Sequence, residues 1–423
     1  MQTDMYDLPI ATQAPAAAQA FRAGQHRLLG AEARMVDAFA ESVAQDPGFA
    51  LGHAGLARAR QFSGDMAGAK SAMAAARDLT GGISAREAGH IHAMGLLVDG
   101  KGPEAYAAIR AHVADHPRDA VLAQTCSSVF GLIGFSGQPG REAEMLAYNA
   151  ALLPHYGEDW WCLSQYAFAL CETGQLDKAT GFIDRSLALN PDNANGAHVR
   201  SHILYEQGDT AAGRAYLADW VGGHDRNSVL HGHLSWHVAL WSLVEGDEAA
   251  MWAIMDADVA PDTCRALPIN VLTDTASLLF RAEAAGVSVD PARWHQISSY
   301  AARWFPKSGN AFVDIHAALS HAMAGNAEAL SQIISTPKGP AADLVPDLAE
   351  GFAQIAGGNW AAATGHLTAA MADHARIGGS RAQRDLLELA LLTALMRQGR
   401  AEEARHIVAL RRPVLAGTVG RAA

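Results

Sequence analysis

The sequence predicts an all-α protein folded as a right-handed α-solenoid of about ten helix pairs. Segments that alternate apolar and polar residues, as strands do, are scarce, and Ala, Leu, Arg, Glu and Met recur at helical spacing instead. Glycines punctuate the chain at near-regular intervals, which is typical of repeat proteins. At 423 residues the chain exceeds the usual size of one hydrophobic core, and a repeat array accounts for this because each unit packs on its neighbours.

The repeat is clearest in residues 160–193. A first apolar helix is predicted to end at Gly174, a second to place Ala179 on its buried face, and Pro191 to end the second helix. Gly208 follows Gly174 by 34 residues, and this segment resembles the tetratricopeptide repeat in length and in these positions. Turn glycines recur along the chain, at Gly64, Gly100, Gly174, Gly208, Gly246, Gly325, Gly358 and Gly399.

The chain is predicted to form one continuous tetratricopeptide-like superhelix over residues 31–412, because no linker rich in Ser, Pro or charge divides it. Residues 1–30 are assigned to an N-terminal segment and 413–423 to a C-terminal tail. The repeat pattern weakens over residues 120–158 and 260–310, where a long turn and four prolines predict insertions.

Charge and composition argue against several classes of binding partner and binding site. There are 32 Lys and Arg against 44 Asp and Glu, a formal net charge of -12, and no basic run, which argues against nucleic acid and membrane surfaces. Four cysteines without CxxC spacing predict neither disulfides nor a thiolate zinc site.

No apolar stretch approaches ~20 residues and the start lacks a leader pattern, so a cytoplasmic location is predicted. The expected partner is a small molecule or short peptide in the concave groove, and a homo-oligomer is compatible with the sequence.

Two histidine pairs form the main candidate site. His198 and His202 are four residues apart, as are His233 and His237, so each pair lies on one helix face. Their helices belong to consecutive repeats, and the four imidazoles are therefore predicted to converge, with Trp236 beside them. In tetratricopeptide arrays the first helix of each pair lines the inner groove, and the resemblance places further rings there: His90, Trp161 and His316.

Three chemistries fit this site. The histidines could act as general acid and base, hold a transition metal, or bind a ligand by hydrogen bonds and stacking. The alternative is that each ring only packs and is satisfied by a nearby carbonyl or hydroxyl. Apart from the metal alternative, no cofactor is predicted. The Glu of HExxH is missing and no nucleotide-binding loop is present, so neither a protease nor NAD or ATP chemistry is expected.

A second candidate region precedes the last long helix. Ser380 and Gln383 form a predicted capping box after a Gly-Gly turn, and Arg384 lies alongside. Such a helix N-terminus suits a carboxylate or phosphate ligand. The alternative is a plain helix start in which Arg384 pairs with Asp385 or Glu388.

Two acids complete the candidate set. Asp274 opens an apolar segment and is predicted to be a helix N-cap or, if buried, an acid that orients a histidine. Asp314 lies in an otherwise apolar helix and, if buried, could likewise orient a histidine. His316 lies two residues after Asp314 and therefore on a different helix face.

From about residue 30 to 411 the chain resembles the tetratricopeptide repeat protein 38 family. Five motifs carry the resemblance: His198, His202, Glu206 and Gly208; Gly232, His233, Trp236, His237, Ala239 and Leu240; Asp274, Ala276, Ser277, Leu278 and Leu279; Phe312, Asp314 and His316; and residues 377–385 as I-G-G-S-x-A-Q-R-D. The resemblance implies a superhelical fold with clustered polar residues and gives no established reaction. We therefore expect a histidine-rich small-molecule site on the concave face, in an enzyme of hydrolase, lyase or isomerase type or, alternatively, in a non-catalytic peptide- or protein-binding scaffold.

Overall fold

A computed structural model describes residues 2–411, and it confirms the predicted all-α solenoid. The predicted tail, 413–423, lies outside the described residues. Before the first helix, strand β1 (Gln2–Thr3) pairs antiparallel with β2 (Pro9–Ile10) in a short ribbon. None of the four cysteines forms a disulfide.

Twenty-two α-helices follow in the described part of the chain. The first eleven are α1 Pro15–Gly30, α2 Met35–Gln45, α3 Ala50–Phe62, α4 Met66–Asp78, α5 Ala85–Val98, α6 Gly102–Asp115, α7 Ala120–Ser127, α8 Arg141–Tyr156, α9 Trp160–Glu172, α10 Leu176–Leu189 and α11 Ala194–Gln207. The remaining eleven are α12 Thr210–Gly222, α13 His231–Val244, α14 Glu248–Ile254, α15 Pro268–Ala284, α16 Pro291–Trp304, α17 Ala311–Met323, α18 Ala327–Ser335, α19 Val345–Ala356, α20 Trp360–Met371, α21 Arg381–Arg397 and α22 Ala401–Arg411. No helix within residues 2–411 combines the length and the apolar character needed to cross a bilayer.

Two kinds of packing build the solenoid. Helices adjacent along the chain contact each other, except that a π-helical segment (Met255–Val259) lies between α14 and α15 and contacts both. Many odd-numbered helices also contact each other, as α9 does α11 and α15 does α17. The turn glycines Gly174 and Gly208 end α9 and α11 with left-handed φ values of 77° and 73°, which explains why glycine recurs there. The start of α11 follows the start of α9 by 34 residues.

Odd- and even-numbered helices differ in burial. In α10 the buried residues are Ala179, Ile183 and Ser186, a single stripe facing the neighbouring helices. By contrast, α9 buries every residue except Tyr166, and α13 buries residues 231–242 without a break. The inner side of the superhelix is therefore filled by protein. Helix α1 contributes to this filling, because it contacts α3, α7 and α11.

The two segments predicted as insertions differ in outcome. Residues 260–310 hold a regular helix pair, because Pro268 and Pro291 occupy the first turns of α15 and α16, where proline is favourable. The insertion predicted there is wrong for residues 268–304, whereas residues 260–267, which include Pro261, form a connection of eight residues before α15. Residues 128–140, between α7 and α8, do form a long connection, and Arg141 at the start of α8 binds main-chain carbonyls far along the chain, at Ala375 and Gly379.

The hydrophobic core has two parts that meet at α13. Val238 and Trp241 pack with the N-terminal helices, whereas Trp236 and Leu240 pack with the C-terminal ones. Helix α21 then returns to contact both α11 and α15. The candidate histidines on α11 and α13 therefore lie at the centre of a closed coil.

Candidate functional site

The structure brings the four predicted histidines together. Helices α11 and α13 each present their pair on one face, and one ring nitrogen from each of His198, His202, His233 and His237 lies within 4.8 Å of the other three. Nε2 of His198 is 2.8 Å from Nε2 of His202 and 3.0 Å from Nε2 of His233. The His237 ring lies over these, with its centroid 4.7 Å from that of His202.

Hydrogen bonds satisfy only some of the ring nitrogens in this cluster. Nδ1–H of His233 donates to Oδ2 of Asp274 at 2.8 Å, which leaves Nε2 of His233 with its lone pair toward the cluster. Neither ring nitrogen of His237 has a hydrogen-bond partner among the described residues, although the side chain is 0% exposed. Nδ1 of His202 likewise has none. Buried polar atoms are normally paired, so these unpaired nitrogens are unusual.

Burial controls the protonation of the site. It lowers the pKa of His198 and of His237 well below the usual value, and the neighbouring histidines add to the effect. The pKa of His202 falls to about 3 for the same reasons. These imidazoles are neutral at neutral pH and present lone pairs. Burial raises the pKa of Asp274, while the adjacent His233 opposes that shift.

Aromatic side chains enclose the cluster. Trp236 stacks on His233, with ring centroids 5.2 Å apart and planes inclined by 16°. Phe168, from α9, covers His198 and His202 at centroid distances of 5.6 and 5.1 Å. The site is therefore shielded on these sides, which strengthens electrostatic interactions within it.

A small cavity adjoins the cluster. Its volume is about 100 Å³, and His198 and His233 form part of its wall. Polar side chains from distant helices complete the lining, among them Arg58, Gln124, Asn270 and Gln383. We call this space the histidine cavity.

Asp274 lies in the interior of α15, and the helix begins at Pro268, so the N-cap prediction for Asp274 is wrong. The alternative interpretation of Asp274, a buried acid bonded to a histidine of the cluster, agrees with its hydrogen bond to His233.

Asp314 and His316 do not contact the cluster histidines through hydrogen bonds and bond nearby main-chain groups instead. The carboxylate of Asp314 accepts the Gly309 N–H at 3.1 Å, and Nδ1–H of His316 donates to the Phe312 carbonyl at 2.7 Å.

The capping box at the start of α21 is present as predicted. Ser380 Oγ accepts the Gln383 N–H at 3.2 Å, and Gln383 Oε1 accepts the Ser380 N–H at 3.0 Å. The anion at this helix start comes from the protein itself, because the Glu172 carboxylate accepts the Arg381 N–H at 3.0 Å. Burial raises the pKa of Glu172 to about 7, against the opposing charge of Arg384.

Arg384 does not pair with the residues named from the sequence. Its guanidinium donates to the Gly379 carbonyl and to Glu142, whereas Asp385 accepts the Tyr205 hydroxyl and Glu388 accepts from Arg411.

Two glutamates hold α21, and the sequence assigned no role to Glu206, which was named only within a motif, and did not single out Glu172. Glu172 and Glu206 occupy the same place in consecutive repeats, two residues before a turn glycine, and Glu206 pairs with the Arg381 side chain at 3.2 Å. Their equal repeat positions are the signal that could have identified them.

His90 belongs to a separate, closed cluster. His90 and His112 each donate to Asp119 at 2.9 Å, and Arg86 donates to it at 3.1 Å. Burial alone would raise the pKa of Asp119, but these charges and hydrogen bonds hold it below its usual value.

Trp161 is fully buried and packs edge-on against Tyr156. Neither His90 nor Trp161 therefore contributes to the four-histidine site.

No family model matches the chain. Solved structures similar to it include the human IFIT1 dimer with m7Gppp-AAAA, at 12% identity and a TM-score of 0.46, covering 98% of this chain and 96% of that one. Yeast Tom70 has 14% identity and a TM-score of 0.38, with coverages of 96% and 88%. The P58(IPK) TPR domain has 13% identity and a TM-score of 0.20, with coverages of 91% and 99%. The helix pairs themselves define the architecture. It is a tetratricopeptide-like helical repeat.

Proposed function

We propose that this helical-repeat protein binds a transition-metal ion through His198, His202, His233 and His237 and presents it to a small molecule in the histidine cavity. The proposal concerns binding and assigns no reaction. It includes a cytoplasmic location and membership of the tetratricopeptide repeat protein 38 family, both of which rest on the sequence.

One observation carries the metal assignment. Nε2 of His198 lies at hydrogen-bond distance from two other Nε2 atoms, those of His202 and His233. A ring nitrogen carries either one N–H or one lone pair in the ring plane, so it can take part in only one such bond. A cation among the three nitrogens would accept every lone pair at once.

The donor set suits such an ion. With metal–nitrogen bonds of 2.0–2.1 Å, tetrahedral ligands stand about 3.3 Å apart. The close pairs here are 2.8 and 3.0 Å apart and no ligand pair exceeds 4.8 Å, so small ring rotations would complete the site. Asp274 bonded to His233 supplies the carboxylate that commonly orients a ligating histidine. Imidazole ligands favour zinc, copper, iron or nickel.

The competing peptide-scaffold function requires an accessible inner face. Helices α9 and α13 are buried along nearly their whole length, and the histidine cavity holds only about 100 Å³. This geometry favours a small ligand over a peptide.

Metal content tests the proposal directly. Protein purified without chelator should contain about one equivalent of a transition metal, or take it up after chelator treatment and incubation with Zn²⁺ or Co²⁺. Bound metal should also raise the melting temperature, because it binds the folded state selectively. Less than ~0.2 equivalents after incubation with each metal in turn would overturn the proposal.

Variants assign the ligands. His237→Ala and His198→Ala should each lower Co²⁺ affinity by at least tenfold, since even an indirect supporting residue contributes roughly 10- to 100-fold. His321→Gln is a matched control, because His321 is equally buried but bonds Ser298 at 2.8 Å outside the cluster. Far-ultraviolet circular dichroism confirms folding of each variant. Equal Co²⁺ affinities in the folded His237→Ala variant and the control would contradict the assignment.

A further inference from the structure

The residues that line the histidine cavity carry positive charge and no negative charge. Arg58 is the cation in its wall, several side-chain amides accompany it, and none of the lining residues is Asp or Glu. A metal ion at the histidines, as proposed above, would add further positive charge. The buried carboxylate of Asp274 offsets one unit of that charge at most. A cavity of this kind attracts an anion.

Arg58 is not matched by an acid in the described part of the chain. Its Nη1 donates to Gln61 Oε1 at 2.9 Å and its Nη2 to Gln124 Oε1 at 3.0 Å, both neutral acceptors. Its Nε is buried without a partner, and no salt bridge within residues 2–411 includes it. Burial lowers the pKa of Arg58 to about 10, so the group is still a cation at neutral pH. A half-buried cation without a counter-charge is unusual, because desolvation normally requires one.

Gln383 supplies a second, independent indication of a ligand. Its side chain is only 4% exposed and forms part of the cavity wall. The capping box turns Oε1 back to the Ser380 N–H, which fixes the orientation of the amide. The remaining donor, Nε2, has no hydrogen-bond partner. Such a buried donor requires an acceptor.

Size restricts the ligand. The cavity volume of about 100 Å³ is well below the ~300–1,000 Å³ of pockets that hold drug-sized molecules. One guanidinium and neutral amides match the single charge of a carboxylate better than the double charge of a phosphate.

We propose that the histidine cavity binds a small monocarboxylate, with Arg58 as its counter-charge and Gln383 Nε2 as a hydrogen-bond donor. This inference rests on the proposed metal function in one respect: a metal at the histidines would take one carboxylate oxygen. The contributions of Arg58 and Gln383 do not depend on that ion.

Calorimetric titration of the full chain with acetate tests the inference, in metal-free and Co²⁺-incubated protein. Acetate should bind at least ~10-fold more tightly than acetamide, its neutral analogue, because a hydrogen bond to a charged group adds about that factor. Arg58→Gln should lose this preference while keeping Co²⁺ affinity within about threefold. Gln383→Leu should weaken acetate binding by a smaller factor. Arg60→Gln is the matched control, since Arg60 is on the same helix and bonds the Gly68 carbonyl.

The outcomes separate the two proposals. If Co²⁺ does not bind but acetate binds metal-free protein and the Arg58→Gln variant loses it, the metal function fails and the carboxylate inference stands. If Co²⁺ binds but acetate and acetamide bind alike, the inference is overturned and the metal function stands. Tighter binding of phosphate than of acetate, or an unchanged acetate affinity in the folded Arg58→Gln variant, would also overturn it.

Discussion

Arg141 is expected to hold the coil closed, and replacing it tests that role. Its side chain is 1% exposed and donates three hydrogen bonds to main-chain carbonyls. Two of these carbonyls lie beyond α20, at Ala375 (2.6 Å) and Gly379 (2.7 Å), and the third is at Gly134 (3.1 Å). The long connection over residues 128–140 and the start of α21 therefore share one buried cation.

The magnitude follows from those bonds. Hydrogen bonds from a charged donor each contribute about 1.5–3 kcal/mol, and carbonyls left unpaired in the interior add to the loss. Because neighbouring contributions are not additive, we expect Arg141→Met to destabilise the closed arrangement by about 3–5 kcal/mol, the range for removing one partner of a buried charged contact. The helix pairs on either side should stay folded, since each depends mainly on its neighbours.

Hydrogen exchange measures this effect locally. Amides in residues 128–140 and 374–381 of the Arg141→Met variant should exchange faster by roughly two to four orders of magnitude, since 1.4 kcal/mol corresponds to tenfold. Arg185→Met is the matched control, because Arg185 is half exposed and pairs with Glu158 at the surface. A change below about threefold in residues 374–381, or an equal change in the control, would refute the closure role.

Three further predictions concern the same region and the site. Gly379→Ala should destabilise the protein by more than ~1 kcal/mol in urea unfolding, because its φ is +72° and an added Cβ would lie 2.4 Å from the Phe312 ring; unchanged stability would contradict the packing. Burial raises the pKa of Glu172 from 4.5 to about 7, so the folded state binds its proton more tightly than the unfolded state and stability falls as pH rises between these values. The melting temperature of Glu172→Gln relative to the unmodified protein should therefore increase from pH 5 to pH 8, and a constant difference would be the contrary result. Asp274→Asn should lower Co²⁺ affinity by roughly 10- to 100-fold, because His233 would lose the carboxylate that orients it, and an unchanged titration curve would remove Asp274 from the site.

Much of the fold could be predicted from local patterns. The spacing of Gly174 and Gly208 reflects helix ends that need a left-handed residue, and the structure shows φ values of 77° and 73° there. The capping box of Ser380 and Gln383 is likewise a local property of four consecutive residues. Such features depend on backbone sterics and short-range hydrogen bonds, which the sequence specifies directly.

Helix boundaries were predicted less well where a single residue was interpreted alone. The local sequence around Asp274 predicts an N-cap, but α15 begins earlier because Pro268 fits its first turn. The same fact removes most of the insertion predicted over residues 260–310, although Pro261 and Pro306 do lie in connections between helices. Pro268 and Pro291 mark helix starts rather than interruptions, and only the neighbouring pattern distinguishes these two uses.

The helix pairs, the repeat length and the position of two histidines on one face of each of two helices, α11 and α13, follow from the amino-acid sequence alone. Tertiary structure alone decided which distant groups meet these histidines: Asp274 on α15, Arg58 on α3 and Gln383 on α21. Periodicity within a helix follows from local geometry, whereas these contacts depend on how the whole coil curves and closes. That curvature sums small packing angles over many helix pairs, so contacts between distant repeats cannot be read from any single repeat.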